Sequence, residues 1–111
     1  MQSFKVPKDD KKYSWTWHVI DKMKYYKISP SRVKRVIRHP DRTEEGIVSD
    51  TVASMKIAKT KKRQEIWAMY IPAQKNGEKK IKIITAWRYP GESPKRDPVP
   101  KNILEEVKEL L

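Results

Sequence analysis

At Pro40 the apolar residues of this chain change their period from helical to alternating. Before it the spacing is helical. Trp15, Val19, Met23 and Tyr26 recur at intervals of four, four and three, Ile20 widens the stripe, and Ser14 precedes it. Ser29-Pro30 marks the start of a second helix, with a serine oxygen to cap free N–H groups and a proline suited to the first turn. Val33, Val36 and Ile37 follow at i, i+3 and i+4, and His39-Pro40 ends the helix because proline cannot donate the next hydrogen bond.

After Pro40 the pattern alternates. In residues 51–60, Ala53, Met55 and Ile57 oppose Ser54 and Lys56. Residues 64–72 are apolar on both faces, as an internal strand is. Asn76-Gly77, within residues 74–78, signals a hairpin. In residues 79–89, Ile81, Ile83, Thr85 and Trp87 alternate with Lys82, Ile84, Ala86 and Arg88. A weaker strand is expected over residues 43–48. Pro90, Pro94, Pro98 and Pro100 mark an extended connector, and Ile103, Leu104, Val107, Leu110 and Leu111 define a last helix over residues 102–111. This order predicts an α+β fold. Two N-terminal helices pack on one face of a three- to four-stranded antiparallel sheet, a C-terminal helix follows, and Val19, Met23, Val36, Ile37, Ile57, Trp67 and Ile83 are buried.

With 111 residues the chain has material for one core. The expected division is a flexible basic arm (1–13), the α+β domain (14–90), and a Pro-rich connector with the last helix (91–111). No apolar run approaches the ~20 residues of a membrane span, and no leader pattern opens the chain, so a cytoplasmic protein is expected. The absence of cysteine removes thiolate, disulfide and Cys-type metal chemistry. Two histidines and three glycines leave neither a His-rich metal site nor a phosphate-cradling loop. No metal and no small-molecule cofactor are expected.

The net charge is +12, and it is unevenly placed. Residues 1–90 carry 22 basic and nine acidic groups; residues 91–111 carry four basic and five acidic. An excess of this size without matching acids favours a polyanion partner, since Lys and Arg release condensed counterions when they neutralise phosphates.

Four short strings carry a resemblance. HVIDKM, from His18 to Met23, is similar to an "H-x-x-x-R-M" helix pattern, with Lys22 where arginine is usual. KISPSRV, from Lys27 to Val33, is similar to "G-I-S-x-x-x-V", with Lys27 in place of glycine. His39-Pro40-Asp41 is like the "N-P" or "D-P" that closes the second helix, and IITAWR, from Ile83 to Arg88, is like a final strand ending "I-I-S-A-R". Over residues 14–90 the chain thus resembles the small BrnT/RelE-like toxin ribonucleases. The resemblance implies a metal-independent RNA endonuclease held in check by an acidic antitoxin protein.

Metal-free RNA cleavage uses the 2′-hydroxyl as nucleophile and needs a group titrating near neutrality and a fixed cation for the phosphorane. His18 is the candidate proton carrier and Arg88 the candidate fork, expected to meet at one phosphate with Lys22 and Lys82 beside them. The plainer reading of His18 is a half-buried helix histidine with one structural contact; His39 reads as a helix-terminal cation. Arg32, Arg35 and Arg38 recur every three residues and predict one basic ridge suited to phosphate. If the helices cover the Ile83 side of the last strand, Lys82 and Arg88 point to an open face overhung by Lys61, Lys62 and Arg63. On that face Tyr89 and Tyr70 either stack a base or simply pack. Trp67 and Trp87 read as core. Glu65 is a possible base, or else the partner of a cross-strand lysine. Two other readings stand beside the nuclease: a non-catalytic nucleic-acid-binding module, and an inactive interaction protein of the same fold.

Overall fold

The computed structural model describes residues 4–45, 47–75 and 77–111. It is an α+β fold with three helices and a five-stranded mixed sheet. The elements are β1 (Tyr13–Trp15), α1 (Trp17–Tyr26), α2 (Pro30–Arg38), β2 (Arg42–Glu45), β3 (Val52–Ala58), β4 (Gln64–Lys75), β5 (Glu78–Pro90) and α3 (Lys101–Leu110). The sheet order is β1-β5-β4-β3-β2. β2 to β5 form an antiparallel meander with β4 internal, and β1 lies parallel to β5.

The parallel strand departs from the expected all-antiparallel sheet, and its residues were expected elsewhere. Trp15 belongs to β1 instead of opening the first helical stripe, and Tyr13 is buried instead of ending a loose arm. Two aspartates hold this strand. Asp9 Oδ1 accepts from Trp15 N at 2.8 Å, and Asp10 Oδ1 accepts from Tyr13 N at 2.7 Å. Thr16 then turns the chain into α1 as its N-cap, its Oγ1 accepting from Val19 N.

α2 starts at the Ser29-Pro30 signal, with Ser29 Oγ accepting from Arg32 N, and stops at His39. α1 and α2 cover one face of the sheet, α1 over β5 and α2 over β4 and β3. Val19, Ile20, Met23, Val33, Val36 and Ile37 pack there on Ile66, Ala68, Ile83 and Ala86. At about 1.5–3 kcal/mol for each large apolar side chain fully removed from water, this layer is a principal source of stability.

The opposite face, expected to be open, is covered. α3 and the connector lay Ile103, Val107 and Val99 on Met55, Trp67, Met69, Ile84 and Trp87. Trp67 and Trp87 face each other across β4 and β5, stacked with centroids 5.6 Å apart.

A bulge in β5 explains how both tryptophans reach this second core. Tyr70 pairs with Ile83 and Met69 with Thr85, so Ile84 has no partner in β4. One extra residue reverses the sidedness of everything after it. Ala86 and Arg88 thereby share the Ile83 face, while Trp87 and Tyr89 turn to the other. Thr16 serves the same spot: its N–H donates to Ile83 O at 3.2 Å and its Oγ1 to Ile84 O at 2.8 Å. Ile57, expected in the core, is 36% exposed, because β2 pairs only as far as Met55 and leaves the end of β3 at an edge. Gly77 takes the positive φ of 80° that the β4–β5 hairpin requires; Asn76 of the same signal lies outside the described residues.

Candidate nucleic-acid interface

A cleft of about 810 Å³ lies between the start of α2 and the free end of β3. Arg32 and Arg35 line its α2 side, and Lys56 and Lys59 its β3 side. The Ser29 and Ser31 hydroxyls stand at its helix end, 3.2 Å apart. The floor is apolar, Val36 and Ile66, and Ile57, which the register puts on the other face of the sheet, borders the cleft at the strand edge. The one carboxylate in the lining, Asp41, accepts from Ile57 N at 2.8 Å and lies 4.0 Å from Lys56 Nζ, which also donates to His39 O. Arg32, Arg35 and Lys59 make no ion pair among the described residues. A positive helix end, paired hydroxyls and free guanidinium forks over an apolar floor suit a phosphate with a sugar or base beneath it.

The expected ridge on α2 divides. Steps of three residues each fall 60° short of a full turn at 100° per residue, so Arg38 stands about 120° from Arg32. Arg32 and Arg35 reach the cleft; Arg38 Nε instead donates to Tyr13 Oη at 3.0 Å, with its guanidinium over that ring.

His18 and Arg88 are not brought together. His18 Nε2 lies 3.3 Å from Glu106 Oε2, and Lys22 Nζ lies 2.9 Å from the same oxygen. Lys22 also donates to Glu106 Oε1 at 3.2 Å. This seam joins α1 to α3, and Tyr26 packs into both cores. Burial, the dominant influence, holds the His18 imidazole below its ordinary 6.5, against the upward pull of Glu106. Arg88 belongs to the other end of α1. Its Nε donates to Tyr26 O at 2.7 Å and its Nη2 to Lys27 O at 3.1 Å, closing the last carbonyls of the helix. Eight residues of α1, about 12 Å, separate Tyr26 from His18. Burial and then the nearby Arg32 charge hold Arg88 below its usual value.

The remaining candidates are dispersed. Lys82, expected beside Arg88, is on the opposite face because of the bulge, and is exposed. Tyr89 packs against the second core, and Tyr70 Oη meets Ser54 Oγ at 3.2 Å. Lys61 and Lys62 are exposed in the turn that follows Lys59.

Glu65 is an anchor. It is 1% exposed and, among the described residues, paired with no lysine. Arg63 Nη1 lies 3.2 Å from its Oε2, Trp67 Nε1 donates to Oε1 at 3.0 Å, and Ser93 donates to Oε1 through both Oγ and N. Burial works against its charge, but these four donors together outweigh it and hold the carboxyl below its ordinary range. Arg42 completes the network: it stacks over Trp67 at 5.3 Å and donates to Ser93 Oγ, Pro94 O and Lys95 O.

Among the described residues no group of three or more His, Asp or Glu is placed to hold a metal ion, and no helix is long and apolar enough to cross a membrane. The chain matches no protein-family model, no curated protein and no solved structure. Lys56, Lys59, Ser29 and Ser31 were not expected in a site. Ser29 read only as a cap, and a lysine on a strand end gives no sign of facing a helix until the packing of that helix is known.

Proposed function

We propose that this protein is a nucleic-acid-binding module that holds the phosphodiester backbone of RNA in the α2–β3 cleft. The observation that carries the reading is the grouping of Arg32, Arg35 and Lys59, none ion-paired among the described residues, around an apolar floor. An acidic protein, the antitoxin that the resemblance implies, would compete for the same cations, and the setting for both is the cytoplasm. The test is RNA retention against salt. Arg32→Gln, Arg35→Gln and Lys59→Gln together should flatten the log–log salt slope by about 2. Failure of the wild-type protein to retain RNA at low salt would refute the reading.

Endonuclease activity of the BrnT/RelE type is the further step that the resemblance implies. It needs a proton carrier at the bound phosphate, whereas His18 stands at the α1–α3 seam. Incubation with labelled RNA in chelator, scored for 2′,3′-cyclic phosphate ends, tests it. Unchanged cleavage by His18→Ala would remove His18 from that role.

A further inference from the structure

We propose that the bound RNA strand continues past Ser29 into a second groove beneath the N-terminal segment, so that the ligand is a polymer and the N-terminal segment is part of its binding path. This rests on the reading of the first cleft given above. The second groove, about 590 Å³, carries Lys5, Lys24 and Lys27 together with Phe4 and Ile28, and Ser29 belongs to the lining of both. The two clefts are therefore neighbours around the start of α2. No lysine of the groove is paired with a carboxylate among the described residues.

The two clefts differ in a way that suits consecutive parts of one strand. The first has forks and hydroxyls and no aromatic lining, so it grips phosphate and ribose. The second has the Phe4 ring, half-buried, with Lys24 Nζ 5.9 Å from its centroid. An aromatic ring flanked by cations is the usual platform for an unpaired base and its phosphate. A duplex keeps its bases stacked inside and offers none to such a ring. Lys27 adds a separate argument. It holds a left-handed φ of 56° at the end of α1, a conformation that glycine takes without cost. The lysine there adds a cation to the groove at the expense of backbone strain.

The experiment compares oligouridylates, a dinucleotide and a decanucleotide, by fluorescence anisotropy at low salt. Lys24→Gln with Lys27→Gln should weaken the decanucleotide and lower its salt slope by about 1.4. The dinucleotide, held in the first cleft, should be unaffected. Phe4→Ala should cost the decanucleotide about fivefold to a hundredfold. Lys101→Gln with Lys108→Gln, on exposed positions of α3, is the charge control. If the lysine pair in the groove changes decanucleotide binding no more than the control pair does, the second subsite is wrong and the first cleft stands. If neither oligonucleotide binds the wild-type protein, or polyglutamate binds as tightly as the decanucleotide, the nucleic-acid reading itself fails. Should Phe4→Ala not fold, the lysine pair still decides.

Discussion

The two faces of the sheet are closed by different means. On the first, α1 and α2 bury aliphatic side chains from two amphipathic stripes. On the second, α3 contributes only two fully buried residues, Ile103 and Val107, over a stacked tryptophan pair. The rest of that cover is an extended segment tied down by Glu65, Arg42 and Ser93. Trp87 Nε1 and Thr85 Oγ1 are buried without hydrogen-bond partners, a cost that the first face does not carry on its strands. A face closed by apolar burial degrades gradually as atoms are removed. A face closed by a buried charge and its donors depends on one residue.

The largest expected effect follows from that dependence. Glu65→Leu leaves the buried donors of Trp67 and Ser93 unsatisfied, at about 1–3 kcal/mol each, and should cost about 3–5 kcal/mol in urea unfolding, with the tryptophan fluorescence reporting the loss. Met23→Ala on the first face should cost about 2–5 kcal/mol. If Glu65→Leu proves milder than Met23→Ala, the second face is held by its tryptophans and not by the network. A third measurement separates the faces in time. Ile103→Ala should raise hydrogen exchange in α3 well before β4 amides respond, because α3 can open locally.

Acid should act on the faces in sequence. His18 titrates below 6.5 in the folded chain, so the unfolded chain binds more protons between the two values. Its cost is absent above pH 6.5, grows as pH falls from there towards the folded value, and is constant below it. Glu65 also titrates low when folded. Its contribution is complete above its unfolded value, near 4.5, declines as pH falls from there, and is gone below the lower folded value. Stability curves of His18→Gln and Glu65→Gln should therefore converge on wild type at different pH, the first in the milder range. The smallest effect is Glu106→Gln. This partly exposed group should change stability by no more than about 1 kcal/mol.

What the sequence disclosed and concealed follows the same division. The stripes of α1 and α2, the Ser29-Pro30 start and the internal position of β4 are local patterns. The bulge at Ile84 was not legible, because residues 83–87 are uncharged on both faces and alternation has nothing to register. Without it Arg88 is assigned to the wrong side, and the second face looks open. The cleft was half legible. Arg32 and Arg35 announced themselves on a helix, whereas Lys56 and Lys59 became their neighbours only through the packing of α2 on β3 and β4. Trp15 misled because its spacing continues the α1 stripe, while the strand it joins lies far along the chain.

That long reach has a consequence for how the molecule is made. Tyr13 pairs with Ile81, and Trp15 with Ile83. During synthesis from the N-terminus, β1 has no partner until the last strand leaves the ribosome. α1 and α2 emerge before β3, β4 and β5, the strands on which they lie, with Val19, Met23 and Val36 uncovered. The meander β2–β5 can pair locally as it appears, but the first face closes only when β4 and β5 are both present. A nascent chain halted between α2 and β4 would be the species most exposed to aggregation and the one most in need of a chaperone.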